Sequence, residues 1–334
     1  MNKQNRVNKN DYHRILLSET IPSEVPIVFS NDGFYNNCIL SKKTNYHPKD
    51  LFQFIVIGEQ EDKSTIPLSY KIRKDSYSLR TLSLMHPYSQ WKFIGFYRDH
   101  SGIICYHCSK SKASLRSPQK IGSSFYVKNK NENVKKYKLD SVDTEEEDKT
   151  IKHPSSYFAY RGVNRLHKFF DSSKYLKLEK KYSSMWMIDI AKCFDSIYTH
   201  TISWAVKSKF FAKNNISIKS SFGQKFDTLM QRSNDNETNG IIIGPEISRI
   251  FAEIIFQDVD IKTIAALSSK HNIHFNKEYT FRRYVDDTFI FSVDEKTTVF
   301  VVEELIEQFS KYNLHINEKK WRNLIGLFIQ NNPE

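Results

Sequence analysis

A chain of 334 residues, 39% hydrophobic and 26% charged, can bury a sizeable core and has room for two domains, or one domain with an appendage. Its 10 glycines and 9 prolines exclude a collagen-like or long low-complexity chain, and no apolar run approaches the ~20 residues that span a bilayer. A formal charge of +12 favours polyanionic partners and salt-dependent binding, although an Asn/Lys-rich composition produces the same surplus.

Residues 1–10 are polar and lack the apolar centre of a signal peptide. Four cysteines, Cys38, Cys105, Cys108 and Cys193, are too scattered for a disulfide framework, so a cytoplasmic location is expected. Short strands are predicted over residues 27–39 and 51–58. Residues 69–87 alternate apolar and basic, and residues 93–106 read as two strands around Asp99-His-Ser-Gly102. On that reading Cys105 and Cys108 are strand-associated thiols; their spacing is that of half a zinc knuckle, but no second pair follows. Residues 128–152 hold almost no large apolar side chain and change from Lys-rich to Asp/Glu-rich, which predicts a solvated insertion.

Beyond it the pattern is regular. A helix is predicted over 163–178, a buried strand over 185–190 and an amphipathic helix over 200–213. A long helix opens at Pro245 with Ile247, Ile250, Phe251, Ile254 and Ile255 as its apolar stripe. Two strands over 280–293 meet at Val285-Asp-Asp-Thr288, and a helix follows over 295–312. Strand, helices, hairpin and helix make an α+β layering, with helices behind an antiparallel sheet.

Asp286 and Asp287 sit inside an apolar stretch, where adjacent carboxylates are costly without a counter-charge. Asp189 ends a second apolar strand. Three carboxylates converging on one sheet edge suit two Mg²⁺ ions, with Mn²⁺ as an alternative, and in-line phosphoryl transfer.

Tyr284-Val-Asp-Asp287 resembles the YxDD signature of reverse transcriptases, and Ile188-Asp-Ile-Ala-Lys-Cys-Phe-Asp195 resembles the strand bearing their first metal-binding Asp. Gly240-Ile-Ile-Ile-Gly244-Pro-Glu-Ile-Ser248, Leu314-His-Ile-Asn-Glu-Lys-Lys320, and Lys71-Ile-Arg73-Lys-Asp75 with Arg80-Thr-Leu82 resemble further family segments, in the family's order. The resemblance implies a right-hand polymerase with fingers over 1–127, a charged insertion over 128–154 and a palm over 155–334. It implies Asp189, Asp286, Asp287 and the Ile190 carbonyl as metal ligands. Arg73, Arg80, Gly244 and Lys320 would then serve the incoming dNTP, with Phe194 as a gate against the ribose 2′-hydroxyl. Ile242 and Ile243 stand where the family has Pro-Gln, and Arg249 replaces a common Pro. These forms are most similar to bacterial abortive-infection and other defence-associated reverse transcriptases. Only 14 residues follow Lys320, so a short or absent thumb is expected. RNA and DNA, a homo-oligomer or partner subunit, and a non-coding RNA are the implied partners, with no membrane. The rival readings are a retron- or intron-type enzyme, and an idle RNA-binding palm scaffold.

Overall fold

The computed structural model describes residues 3–26, 28–43, 63–74, 76–127, 156–163, 165–215, 218–317 and 322–323. The strand expected at 51–58, the charged insertion at 128–154 and Lys320 lie outside them.

Four strands build the main sheet: β7 (Ser184–Asp189), β8 (Tyr279–Tyr284), β9 (Asp287–Ser292) and the short β10 (Arg322–Asn323). Their order is β10-β7-β9-β8, and every neighbouring pair is antiparallel. Alternation along these strands makes two faces. Ile188, Ile290 and Phe281 point into the main core, under the helices α10 (Glu246–His271) and α11 (Glu295–Ser310). Met185, Phe289 and Phe291 form the other face with Phe169 of α4 (His167–Phe170) and Tyr175 of α5 (Ser173–Lys181). Asp189 and Asp287 continue this second face to the sheet end, in the same alternation as Met185 and Phe289.

α10 is the axis of the molecule. It starts directly after Pro245, buries the stripe of isoleucines and phenylalanines read from the sequence, and stops at Asn272, whose φ of 55° turns the chain left-handed.

The N-terminal half contributes two-stranded sheets. β2 (Leu68–Arg73) pairs with β3 (Leu79–Leu84) as the alternation predicts, and β1 (Lys3–Arg6) pairs with β5 (Ser124–Val127). β4 (Arg116–Ile121) and β6 (Phe158–Gly162) pair around an irregularity between Pro118 and Lys120. The main core draws on both sides of the 128–154 stretch: Phe96 lies 4.7 Å from Phe226, and Tyr97 lies 5.2 Å from Tyr157, centroid to centroid.

Three expectations are corrected. The two strands expected over 93–106 are a single helix, α3 (Pro87–His107), so Cys105 is helical and Cys108 caps the helix end. Phe93, Tyr97 and Ile104 fall on one buried face at helical spacing, and this packing overrides the β-propensity of the aromatic and branched residues. The imidazole Nδ1 of His86 accepts from the Tyr88 N–H (3.1 Å) and starts the helix, with Pro87 at its first position. In the 27–39 region, residues from Asp32 onward form α2 (Asp32–Lys43) rather than a strand. Finally, the helix expected over 200–213 is two, α7 (Thr201–Val206) and α8 (Lys209–Asn214); Ser208 between them is extended and accepts from the Phe211 N–H.

All four cysteines are free, and burial pushes the Cys105 thiol up to about 11, so neither Cys105 nor its neighbour offers a metal a ready thiolate. Among the described residues, no helix is long and apolar enough to cross a membrane.

Candidate active site

The chain reaches the sheet end three times. Asp189, 5% exposed, is the last residue of β7 and stands directly opposite Asp287, the first residue of β9. β8 and β9 are joined by the two-residue loop Val285-Asp286, across which Tyr284 pairs with Asp287. Cross-strand partners on one face lie about 5 Å apart at Cβ, so two carboxylates share the edge with a third in the adjoining loop. Cys193 registers their proximity: burial raises its thiol well above the usual range, and the charges of Asp286 and Asp189 raise it further. Past α11 the chain returns along the same edge. The Ala191 N–H donates to the His315 carbonyl and the Asn317 N–H to the Asp189 carbonyl, both at 2.8 Å, and Ile190 bridges Ile316.

The Gly-rich turn is held against this edge by backbone bonds. Gly240 donates to Ile197, Ile241 to Phe194, and Ser83 of β3 to Ile243, each at 2.9 Å. Phe194 follows from α6 (Cys193–Ser196), is partly buried, and packs on the main core. Gly244 has φ 125°, and a Cβ there would lie 2.7 Å from Pro22 Cγ; this backbone excludes any larger residue. Arg80 and Arg73 lie on the exposed β2–β3 hairpin. Arg80 pairs there with Glu24, an exposed contact of small energetic weight that a phosphate can replace. The described residues thus join Asp189, Ile190, Phe194, Asp286, Asp287 and the Gly244 turn in one region, with the two arginines on a separate sheet.

Beside the turn lies a buried charge cluster that sequence reading missed. Arg116, a strand charge that composition suggests is solvated, stacks 4.0 Å over Tyr160 and pairs with Glu246 at 2.5 Å. Tyr160 donates to the same carboxylate oxygen (2.7 Å), and Arg249 reaches the other (3.1 Å). Burial pushes Glu246 up, but the two arginines outweigh it and hold the group below its ordinary value. Glu19, fully buried, accepts from the Tyr157 N–H (2.8 Å) and the Tyr97 hydroxyl (3.1 Å). Burial, then the charge of Glu246, pushes Glu19 up to about 7 from 4.5.

The folded protein therefore holds a proton on Glu19 that the unfolded chain releases near pH 4.5. The stabilisation is complete below pH 4.5 and is lost as pH rises through about 7. In Glu19→Gln, an amide can keep the Tyr157 bond and donate to Tyr97. This variant is expected to lose that slope and to exceed the parent at pH 8 by at most about 3 kcal/mol. Denaturant midpoints of both proteins between pH 4.5 and 8 measure it, and parallel curves would disprove the protonation.

The sequence model described as reverse transcriptase (RNA-dependent DNA polymerase) matches residues 124–327, more than half of the chain. The chain belongs to the reverse transcriptase family. No curated protein matches it in sequence. Among solved structures it is similar to apo telomerase from Candida tropicalis truncated from the C-terminal domain (TM-score 0.44, 12% identity, 78% of this chain and 50% of that one). It is similar also to Candida tropicalis telomerase in complex with a TWJ fragment of telomeric RNA (0.45, 12%, 79% and 41%). A third is the corresponding Candida albicans complex (0.41, 11%, 93% and 51%). The chain spans about half the length of these telomerases or less. Family membership makes the four-stranded sheet with α10 and α11 the reverse transcriptase palm.

In this reverse transcriptase-family palm the prospective ligands are three carboxylates and a carbonyl, the hard oxygen set that Mg²⁺ and Mn²⁺ prefer. The cross-strand pairing of Asp189 with Asp287, and Asp286 in the adjoining loop, brings this donor chemistry to one sheet end. Among the described residues, no group of three His, Cys, Asp or Glu side chains is gathered to hold an ion. A separate cavity of about 450 Å³, walled by Trp204, Phe211 and Phe222 with His200 and Asp227, includes none of these residues.

Proposed function

We propose that this chain is an RNA-directed DNA polymerase that adds dNTPs by two-metal nucleotidyl transfer, templated by RNA or untemplated, in bacterial anti-phage defence. The observation that carries the chemistry is the direct cross-strand placement of Asp189 opposite Asp287, with Asp286 in the tight loop beside them. Asp189, Asp286, Asp287 and the Ile190 carbonyl hold the metal ions, which supply charge neutralisation at the transferred phosphoryl group and activation of the attacking hydroxyl. The chain's own contribution is positioning. The Gly240–Gly244 turn and Phe194 shape the floor for the incoming nucleotide and wall its 2′ position, while Arg73, Arg80 and Lys320 neutralise the triphosphate. Arg80 exchanges Glu24 for a phosphate oxygen as the nucleotide enters.

The defence assignment rests on the similarity of the 188–200 and 240–250 segments to abortive-infection reverse transcriptases. A non-coding RNA and a second subunit or copy are its partners in a bacterial cytoplasm. The test is incorporation of labelled dNTPs by the native assembly, primed and unprimed, with Mg²⁺, with and without co-purifying RNA. Incorporation is expected from the parent; its response to RNase separates templated from untemplated synthesis. An inert native assembly with RNA still bound would overturn the polymerase reading and favour the palm as an RNA-binding scaffold.

A further inference from the structure

The residue before the Tyr-Val-Asp-Asp motif, Arg283, is fully buried, although its backbone lies on the strand that leads into the catalytic loop. Its guanidinium has five N–H donors, and each has an acceptor. Nε and Nη2 donate to the two carboxylate oxygens of Asp260, at 3.1 and 2.9 Å. Nη1 and Nη2 donate to the two oxygens of Glu253, at 2.7 and 3.3 Å. The remaining Nη1 proton donates to the carbonyl of Val285, at 3.3 Å. Both carboxylates are on α10, and Glu253 also accepts from Gln257 (2.6 Å), whose amide oxygen accepts from the Ser111 N–H. The Arg283 backbone is tied from the other side, donating to Ala113 (3.0 Å) and accepting from Leu115 (2.7 Å).

Val285 is the strained member of the loop. Its φ is 57°, a conformation that a β-branched side chain disfavours and that persists only where surrounding structure enforces it. Asp286 and Asp287 follow immediately, so the rotation of the Val285 peptide sets where both carboxylates begin.

We infer that Arg283 is a positioning residue for the metal-binding loop: its fork is clamped on Glu253 and Asp260 of α10, and its last donor fixes the Val285 carbonyl and thereby Asp286 and Asp287. This rests on the proposed two-metal reading for its purpose, but not for its geometry. A lysine has the charge but only three donors and no planar fork, so it cannot reproduce the five bonds to the two carboxylates and the carbonyl.

The experiment measures Mn²⁺ affinity of the full chain by electron paramagnetic resonance, alongside dNTP incorporation and thermal melting. Two variants are used. Arg283→Lys conserves the charge. The triple change Arg283→Met, Glu253→Met, Asp260→Leu replaces the buried cluster with apolar side chains, a class of exchange that commonly preserves folding. Both are expected to bind Mn²⁺ roughly 10–100-fold more weakly, the range for lost outer-shell support. The incorporation rate should fall with it, and the KM for dNTP should change far less. Parent-like Mn²⁺ affinity in the folded triple variant would overturn the clamp and leave Arg283 a structural ion pair. A parent that binds Mn²⁺ but incorporates nothing would instead fail the polymerase reading, with the variants still reporting on the clamp.

Discussion

Asp287→Asn should abolish incorporation without weakening the metal-free fold. Asp287 and Asp189 face each other across β9 and β7, and like charges directly opposite destabilise a sheet by about 0.2–1 kcal/mol. Asparagine has nearly the same shape, so the apo protein is expected to melt at or slightly above the parent temperature at low salt. Activity should move the other way. A lost metal ligand removes several kcal/mol of transition-state stabilisation, about three orders of magnitude or more in rate. Melting curves without divalent ions and single-turnover incorporation measure the two effects separately. A variant that retains a tenth of parental activity would remove Asp287 from the chemistry. A variant that unfolds several degrees early would show that its carboxylate serves the fold.

Arg283→Met alone is expected to give the largest loss of stability, about 3–5 kcal/mol. Glu253 and Asp260 are buried, and removing the cation leaves two carboxylates sharing a site without the five donors that Arg283 supplies. Asp260 already lies above its ordinary value: burial pushes it up and Arg283 opposes that shift. Without Arg283 nothing opposes the upward push of burial on Asp260. The loss should accordingly be greatest at high pH and smaller in mild acid, as chemical denaturation at pH 5.5 and 8 would show. Equal losses at both pH values would contradict this account.

The palm was legible in the sequence because its signals are local and redundant. The isoleucine stripe after Pro245, the apolar strand before Asp189 and the two apolar runs flanking Asp286-Asp287 each fix an element and its buried face. The hairpin register follows from a loop too short to permit another. The N-terminal half was less legible, for a physical reason. Phe93, Ile94, Phe96, Tyr97, Ile103 and Ile104 carry strand propensity, and Asp99-His-Ser-Gly102 carries turn propensity, yet helical packing against Tyr157, Phe158 and Phe226 decides the outcome. No single-residue signal announces a contact so distant in sequence. The buried charges were missed for a related reason: Arg116 and Arg283 look like ordinary strand cations until Glu246, Glu253 and Asp260 arrive from α10. Lys320 lies outside the described residues, and its role rests on its motif alone.

The dependence of Glu19 on distant partners also has a consequence during synthesis. Its acceptor oxygen meets the Tyr157 N–H across 138 residues of chain. At about 5–20 residues per second, roughly 7–28 s separate the emergence of the two from the ribosome. Throughout that interval Glu19 lacks the Tyr157 N–H, and the apolar face of α3 lacks its later partners. The N-terminal half therefore completes its core only after residues 157, 158 and 226, which pack against α3, have been made.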